Sequence, residues 1–141
     1  MVLRTYDPKQ VSIVVGGRVL TGIGPDTFIS VERENDSFTK QVGASGEVGR
    51  ANNNDRSGTI TLTLMQVSPD NDYLSALVAA DELNLSGVTN VLVRDANGTT
   101  LHESAESWIR KPATSEMARE LGTVEWVIDC AELFMFTGGN N

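Results

Sequence analysis

The run from Thr59 to Val67 places the strongest constraint on the fold, because apolar and polar side chains alternate along it with period two. Ile60, Leu62 and Leu64 fall on one face of an extended strand, which predicts that this face is buried in a core. The opposite face carries threonines, which suit a surface that meets another protein. Similar runs, separated by Gly, Pro and Asn, recur along the 141 residues. They predict about eight strands, at 11–15, 18–20, 27–33, 38–42, 59–67, 90–95, 99–109 and 123–136.

One helix is predicted directly after the clearest strand. Ser68 is a candidate N-cap, Pro69 suits the first helical position, and Asp70 favours the positive end of a helix dipole. Apolar residues then recur at helical spacing, and the pattern predicts that the helix ends near Glu82. A short helix of this kind covers one edge or end of a sheet.

The C-terminal part of the chain is less regular. Residues 114–121 are compatible with a second short helix. The last strand is continuously apolar over 133–136, which predicts burial on both faces there, and residues 137–141 are expected to form a flexible tail. Together these patterns predict a single domain over 1–141 that is mainly β, a β-sandwich or partly closed barrel with one flanking α-helix.

Residues 43–58 contain four glycines, three asparagines and one aliphatic side chain larger than alanine, so they add little to a core. A structureless loop of this length is uncommon inside a compact domain and is usually functional or disordered. We therefore expect a long extended loop or hairpin arm that orders against another subunit. Charged residues of both signs lie in and beside it, which suits complementary pairing between identical chains. The candidate residues of this arm are Lys40, Glu47, Arg50, Asp55 and Arg56.

The charge of the chain argues against two classes of partner. With 11 basic and 19 acidic residues, the formal net charge is −8, whereas phosphates and anionic membranes are held by Lys and Arg. The charge is uneven, since residues 1–70 carry a net −1 and residues 71–141 a net −7. No run approaches the length of a membrane span, and the start of the chain has no apolar leader segment. Folding in a reducing cytoplasm is expected.

Few residues of the chain can carry chemistry. His102 is the single histidine and Cys130 the single cysteine, so no metal-binding cluster is expected. Cys130 shares an apolar strand face with Trp126 and Ile128, where a thiol is usually inert packing, and His102 is expected to be exposed. We therefore predict no enzymatic activity and no cofactor. A small β-barrel enzyme or ligand-binding protein stays open as an alternative.

Glu32 and Glu34 share one face of a predicted strand. The pair fits an ordinary solvated surface. It also fits a row of negative charge that faces a channel or a partner. The residues alone leave both interpretations open.

Several charged and glycine-rich motifs follow one another in a recognisable order. They are Gly16-Gly17, Gly22-Ile23-Gly24, the charged stretch 32–40, Gly43-Ala44-Ser45-Gly46-Glu47-Val48, Asn54-Asp55-Arg56-Ser57-Gly58, the strand 59–64, Ser68-Pro69-Asp70-Asn71-Asp72 and Glu125-Trp126. In this order they resemble the tail tube protein family of contractile-tailed bacteriophages. The resemblance covers nearly the whole chain and consists of strands, glycines and turns rather than catalytic signatures.

The resemblance implies a structural role in a virion tail. In this family, six β-sandwich subunits form a ring whose sheets join into a continuous inner barrel, and rings stack into a tube inside a contractile sheath. The implied partners are further copies of the chain, the sheath protein, the tape measure protein and a baseplate ring. The genome passes through an acidic bore without specific binding, and no membrane is involved. A tail-terminator or baseplate ring and a type VI-like secreted tube protein are the alternatives within the same fold.

Two groups of residues follow as candidates for such an assembly. The strands expected at subunit interfaces contribute Thr59, Thr61, Thr63, Leu133, Phe134 and Phe136. The acids expected to face the bore are Glu32, Glu34, Glu125 and Asp129.

Overall fold

The computed structural model of the chain describes residues 1–141, which form ten strands and one α-helix. The strands are β1 (Val11–Val15), β2 (Arg18–Val19), β3 (Ile29–Arg33), β4 (Phe38–Val42), β5 (Val48–Asn52), β6 (Gly58–Met65), β7 (Thr89–Asp95), β8 (Leu101–Ile109), β9 (Thr123–Cys130) and β10 (Phe134–Phe136). The helix α1 (Asp70–Asn84) lies between β6 and β7, and a 3₁₀ turn (Pro8–Gln10) precedes β1. The prediction of a mainly β protein with one α-helix is confirmed.

Eight of the strands form a single sheet in the order β2-β1-β7-β8-β9-β6-β3, and β10 pairs with β8 beside this path. All recorded strand pairs are antiparallel. The sheet is not closed into a barrel, and β2 and β3 form its two ends. Strands near both ends of the sheet, β1 and β6, contribute side chains to one hydrophobic core. The sheet therefore curls around this core as an open sandwich.

The core is built from alternate residues of the strands. Ile60, Leu62 and Leu64 of β6 are fully buried, as their spacing predicts. Leu74 and Val78 of α1 pack into the same core. The helix runs two residues beyond the predicted end, and Leu85 closes it in the left-handed region.

Two strands are absent from the sequence-based prediction. β5 lies within the predicted loop 43–58 and pairs with β4 as a separate two-stranded sheet. The predicted final strand is divided, because β9 ends at Cys130 and Leu133 then turns its side chain into the core. The chain next runs alongside β8 as β10, so the expected burial of 133–136 on both faces is wrong.

The short helix with which residues 114–121 are compatible does not form, since residues 113–122 have no regular secondary structure. Met117 and Leu121 are the apolar side chains that such a helix needs to bury, and both are exposed. A short helix without a packed apolar face has little stability in water.

The last residues are tied to neighbouring loops. The Gly138 amide donates to the Thr100 hydroxyl over 3.0 Å, and the Asn141 amide donates to the Asn97 carbonyl over the same distance. The Asn141 carbonyl in turn accepts a hydrogen bond from the Thr5 amide. The flexible tail expected at 137–141 is therefore hydrogen-bonded in this structure.

Candidate assembly surfaces

The hairpin formed by β4 and β5, residues 38–52, projects from the body of the protein and is called the arm below. All ten strand residues of the arm are exposed, and its strands pair only with each other. The register places Lys40 opposite Arg50 and Val42 opposite Val48 on one face. The Arg50 guanidinium lies 4.3 Å from the centre of the Phe38 ring, a cation–π contact.

The predicted arm residues divide between the arm and its base. Lys40 and Arg50 lie in the two strands, and Glu47 lies in the turn that joins them. Asp55 and Arg56 follow β5, so they belong to the segment that returns to the sheet. The arm therefore spans 38–52 rather than the predicted 43–58.

Hydrogen bonds fix the base of the arm to the sheet. The Arg33 guanidinium donates to the Leu133 carbonyl from Nε at 3.0 Å and from Nη2 at 2.8 Å. The Leu133 amide donates to the Arg56 carbonyl at 2.8 Å. A Cβ atom at Gly58 would lie 2.7 Å from the Glu32 carbonyl oxygen, so a side chain is strained where the returning chain enters β6. The base of the arm is thus fixed to the sheet, whereas the two strands of the arm pair only with each other.

Asp55 is used within this base. Its carboxylate accepts bonds from the Ser57 hydroxyl at 2.6 Å, from the Ser57 amide at 3.0 Å and from the Asn35 side chain at 2.6 Å. The Ser57 hydroxyl bond is the main reason why the pKa of Asp55 lies below its ordinary value. Arg56 donates to the Asn52 side chain at 2.9 Å. Both charged groups are therefore engaged inside the subunit.

The outward face of β3, β6 and β9 brings together the predicted threonines and acids. Across these strands Glu32 lies beside Thr59, and Thr59 beside Asp129. Farther along, Thr63 lies beside Glu125. This threonine–acid face consists of Glu32, Thr59, Thr61, Thr63, Glu125, Val127 and Asp129.

Glu34 joins the threonine–acid face although it lies just beyond β3. Its carboxylate accepts a hydrogen bond from the Thr59 hydroxyl at 2.6 Å. The residues expected separately as an interface and as a bore lining thus lie on one surface.

Arg110 is a residue of this region that the sequence pattern did not single out. It donates to Asp129 from Nη2 at 2.8 Å and from Nε at 3.1 Å. These bonds and the opposite charge of Asp129 raise the pKa of Arg110 above its ordinary value. Asp129 is therefore neutralised by its partner, whereas Glu32 and Glu125 have no ion pair. Only the register of β8 and β9, which no local pattern contains, brings Arg110 beside Asp129.

The three other predicted interface residues are divided between core and surface. Leu133 is fully buried in the core of its own subunit, so its side chain has no surface to offer a neighbour. Phe134 and Phe136 lie on the outward side of β10 and are 50% and 52% exposed. Phe134 pairs with Glu103 of β8, which pairs in turn with Leu92 of β7.

The two candidate nucleophilic or basic side chains are buried. Cys130 lies in the core, as its place on an apolar strand face predicts, and burial raises the pKa of its thiol to about 11. The expected exposure of His102 is wrong, because its ring is turned inward from β8. No group of three His, Cys, Asp or Glu side chains is arranged to hold a metal ion. Helix α1, with 15 residues, is too short for a membrane span.

Comparison with known proteins places the chain among tail proteins. Residues 10–138 match the family described as bacteriophage PhiTE tail tube protein. The structural protein ORF10 of Pseudomonas phage KPP10 is 33% identical over 144 residues, an alignment that covers 96% of this chain and 83% of that protein.

Solved structures share the fold at low sequence identity. The tube-terminating cap of the anti-feeding prophage has a TM-score of 0.67 at 11% identity, covering 97% of this chain and 94% of that one. The sheath/tube terminator of the extracellular contractile injection system PVC has a TM-score of 0.67 at 12% identity, covering 97% and 100%. A chain of the PVC sheath–tube complex has a TM-score of 0.62 at 14% identity, covering 94% and 91%.

Proposed function

The chain belongs to the bacteriophage PhiTE tail tube protein family, and from this premise we propose that it assembles with copies of itself into hexameric rings that stack into a hollow tube. Its place is the virion tail, and its role is structural rather than catalytic. The observation that carries the proposal is the arm, a fully exposed hairpin whose strands pair only with each other and contribute no residue to the core. When the arm of each subunit contacts a different surface of the next subunit, the contact is heterologous. Such contacts close into a ring if the rotation between neighbouring subunits fits.

The threonine–acid face is the surface that we propose lines the bore. It carries threonines and unpaired carboxylates of Glu32 and Glu125. Repeated around a ring and along a stack, these carboxylates create a negative wall that repels DNA instead of binding it. Passage of the genome then needs no specific contact. The open ends of the sheet at β2 and β3 support ring closure, because exposed sheet edges favour pairing with another chain.

The partners proposed for the finished tube are a contractile sheath on the outside and a tape measure protein, later the genome, in the bore. A baseplate ring would start the stack. A chain of the solved PVC sheath–tube complex shares the fold, which supports the sheath as a partner.

Assembly of the purified protein tests the proposal. At rising protein concentration, negative-stain electron microscopy is expected to show six-fold rings and then tubes. A variant in which a short Gly-Ser turn replaces residues 39–51 is expected to remain monomeric. Its thermal unfolding should match that of the full chain, because the arm contributes no core contacts. Wild-type protein that stays monomeric at every concentration would contradict the proposal.

A tail terminator is the second candidate function. The two terminator structures have slightly higher TM-scores, 0.67 each, than the matched chain of the sheath–tube complex at 0.62. A terminator forms one ring that caps an existing tube and does not polymerise. Open-ended growth in the assembly experiment therefore indicates a tube subunit, and growth that stops at single rings indicates a terminator.

A further inference from the structure

A concave surface beside the base of the arm carries acidic groups that the subunit itself does not use. This acidic groove has a volume of about 860 Å³. Its walls include the apolar side chains of Leu92, Ala105 and Phe134, and the acids Glu103, Glu106 and Glu132. None of these three acids forms an ion pair, because the two salt bridges of the structure join other residues.

Two arginines, Arg33 and Arg56, also line the acidic groove and keep their positive charge, because their hydrogen-bond partners are neutral groups. Arg33 donates to the Leu133 carbonyl and to the Ser37 hydroxyl, and Arg56 donates to the Asn52 side chain. Three glutamates and two arginines give the lining a formal net charge of −1, and its apolar side chains adjoin carboxylates that form no ion pair. No residue of the arm lines the groove of its own subunit.

The arm carries the opposite combination. Lys40 and Arg50 lie directly opposite each other without an acidic partner, an arrangement of like charges that is unfavourable in an isolated hairpin. Val42 and Val48 lie next to them on the same face, and Val48 is 68% exposed. Basic groups beside apolar ones complement acidic groups beside apolar ones.

We propose that the arm of one subunit docks in the acidic groove of a neighbouring copy. Val42 and Val48 pack against Phe134 and Leu92, while Lys40 and Arg50 face the three glutamates of the groove. This inference rests on the proposed self-assembly and adds the receptor for the arm. The threonine–acid face is a poorer receptor, because Val127 is the one apolar side chain among its seven residues.

Cross-linking between two single-site variants tests the docking. Val48→Cys protein and Phe134→Cys protein are mixed, assembled and oxidised, and a disulfide-linked heterodimer is expected. Because the two introduced cysteines lie on different chains, a disulfide between them reports a contact between subunits. The buried thiol of Cys130 is protonated and inaccessible, which keeps it silent. Val48→Cys mixed with Ser75→Cys on the exposed side of α1 is the matched control and should give no link.

A charge exchange provides a second measurement that does not depend on the cysteines. Lys40→Glu with Arg50→Glu, and separately Glu103→Lys with Glu106→Lys, should each raise the concentration needed for assembly by about tenfold or more. All four changes in one chain should restore assembly. Unchanged thermal unfolding of each monomer shows that folding is intact.

The outcomes separate this inference from the proposed function. A specific cross-link and restored assembly support the docking. If wild-type tubes form but Val48→Cys links elsewhere, if position 134 stays open to maleimide, or if the fourfold variant does not recover, the docking is overturned. The groove then faces another protein, such as the sheath, and the proposed tube stands. Failure of the wild type to assemble removes both.

Discussion

His102 lies on the inward side of β8 and is only 7% exposed. Its Nδ1 atom has no hydrogen-bond partner, and burial lowers the pKa of its ring. The inward position results from a β-bulge, since Val91 pairs with Ser104 but Thr89 pairs with Ser107, which adds one residue to β8. Ser107 is buried, so strict alternation along β8 would leave the His102 side chain, five residues earlier, on the outward face. Sequence reasoning fails at this residue because nothing in the local pattern indicates the bulge.

We expect the buried ring to make stability depend on pH near neutrality. The ordinary pKa of 6.5 applies to the unfolded chain, and the folded pKa is lower. As the pH falls below 6.5, the unfolded state takes up a proton that the folded state resists, so the free energy of unfolding decreases. Urea unfolding of the wild type should show this loss, and the His102→Gln variant should not. Because the chain has one histidine, a parallel loss in both proteins would contradict the assignment.

At the scale of elements, α1 is joined to the first hairpin through one buried carboxylate. Asp70 is 1% exposed and accepts bonds from the Arg18 side chain at 2.6 Å and from the Thr21 amide at 2.5 Å. The local pattern correctly places Asp70 at the start of the helix. Its strongest partners lie about fifty residues earlier, so the pattern does not reveal the link. Ser68, predicted as the N-cap, accepts a hydrogen bond from the Asp70 amide at 3.3 Å and also donates to the Thr21 carbonyl at 2.7 Å.

Asp70→Asn should therefore cost about 2 kcal/mol in the free energy of unfolding, because a hydrogen-bonded charge is lost from a buried position. Burial alone would raise the pKa of Asp70, but the bonds from Thr21 and Arg18 outweigh it and lower the pKa below 3.8. The stabilisation is thus complete above pH 3.8 and decreases as the pH falls through the folded pKa. Asp72→Asn, exposed in the same helical turn, is the control and should change stability by less than about 0.5 kcal/mol. Equal effects of the two variants in urea unfolding would refute the proposed link.

The arm shows a second limit of sequence reasoning about elements. Gly49, Ala51 and Asn52 have low strand propensity, so β5 is formed by its pairing with β4 rather than by its own composition. The sequence correctly indicated that this segment lacks core residues, and all ten strand positions are exposed. Composition therefore predicts that the segment stands apart, but not the register that brings Lys40 opposite Arg50.

At the scale of the whole molecule, the curled sheet sorts the charge of −8 onto distinct surfaces. The acids expected to face the bore come from two separate regions of the sequence, Glu32 and Glu34 from one, Glu125 and Asp129 from the other. Antiparallel pairing of β3, β6 and β9 places them on one face, a non-local result that alternation alone does not contain. The fold class and the individual strand faces were thus predictable, whereas the grouping of faces required the topology.

Reversal of charge on the threonine–acid face should change how assembled tubes treat DNA. Tubes of Glu32→Lys with Glu125→Lys are expected to retain a short fluorescent oligonucleotide at low salt, and wild-type tubes are expected to leave it free. Asp72→Lys with Glu82→Lys makes the same change in net charge on the exposed side of α1. Fluorescence anisotropy that rises equally for both variants would show that the face does not line the bore.

In the assembly proposed above, the exposed arm also bears on the timing of polymerisation. A first encounter between two free subunits must immobilise an arm in return for one contact, which makes the smallest oligomers unstable. A subunit that joins an existing ring meets several neighbours at once, and these contacts reinforce one another. Growth of the proposed tube is therefore expected to begin slowly, to accelerate once a ring exists and to have a sharp concentration threshold. Subunits of this design can accumulate as monomers until a template ring starts the tube.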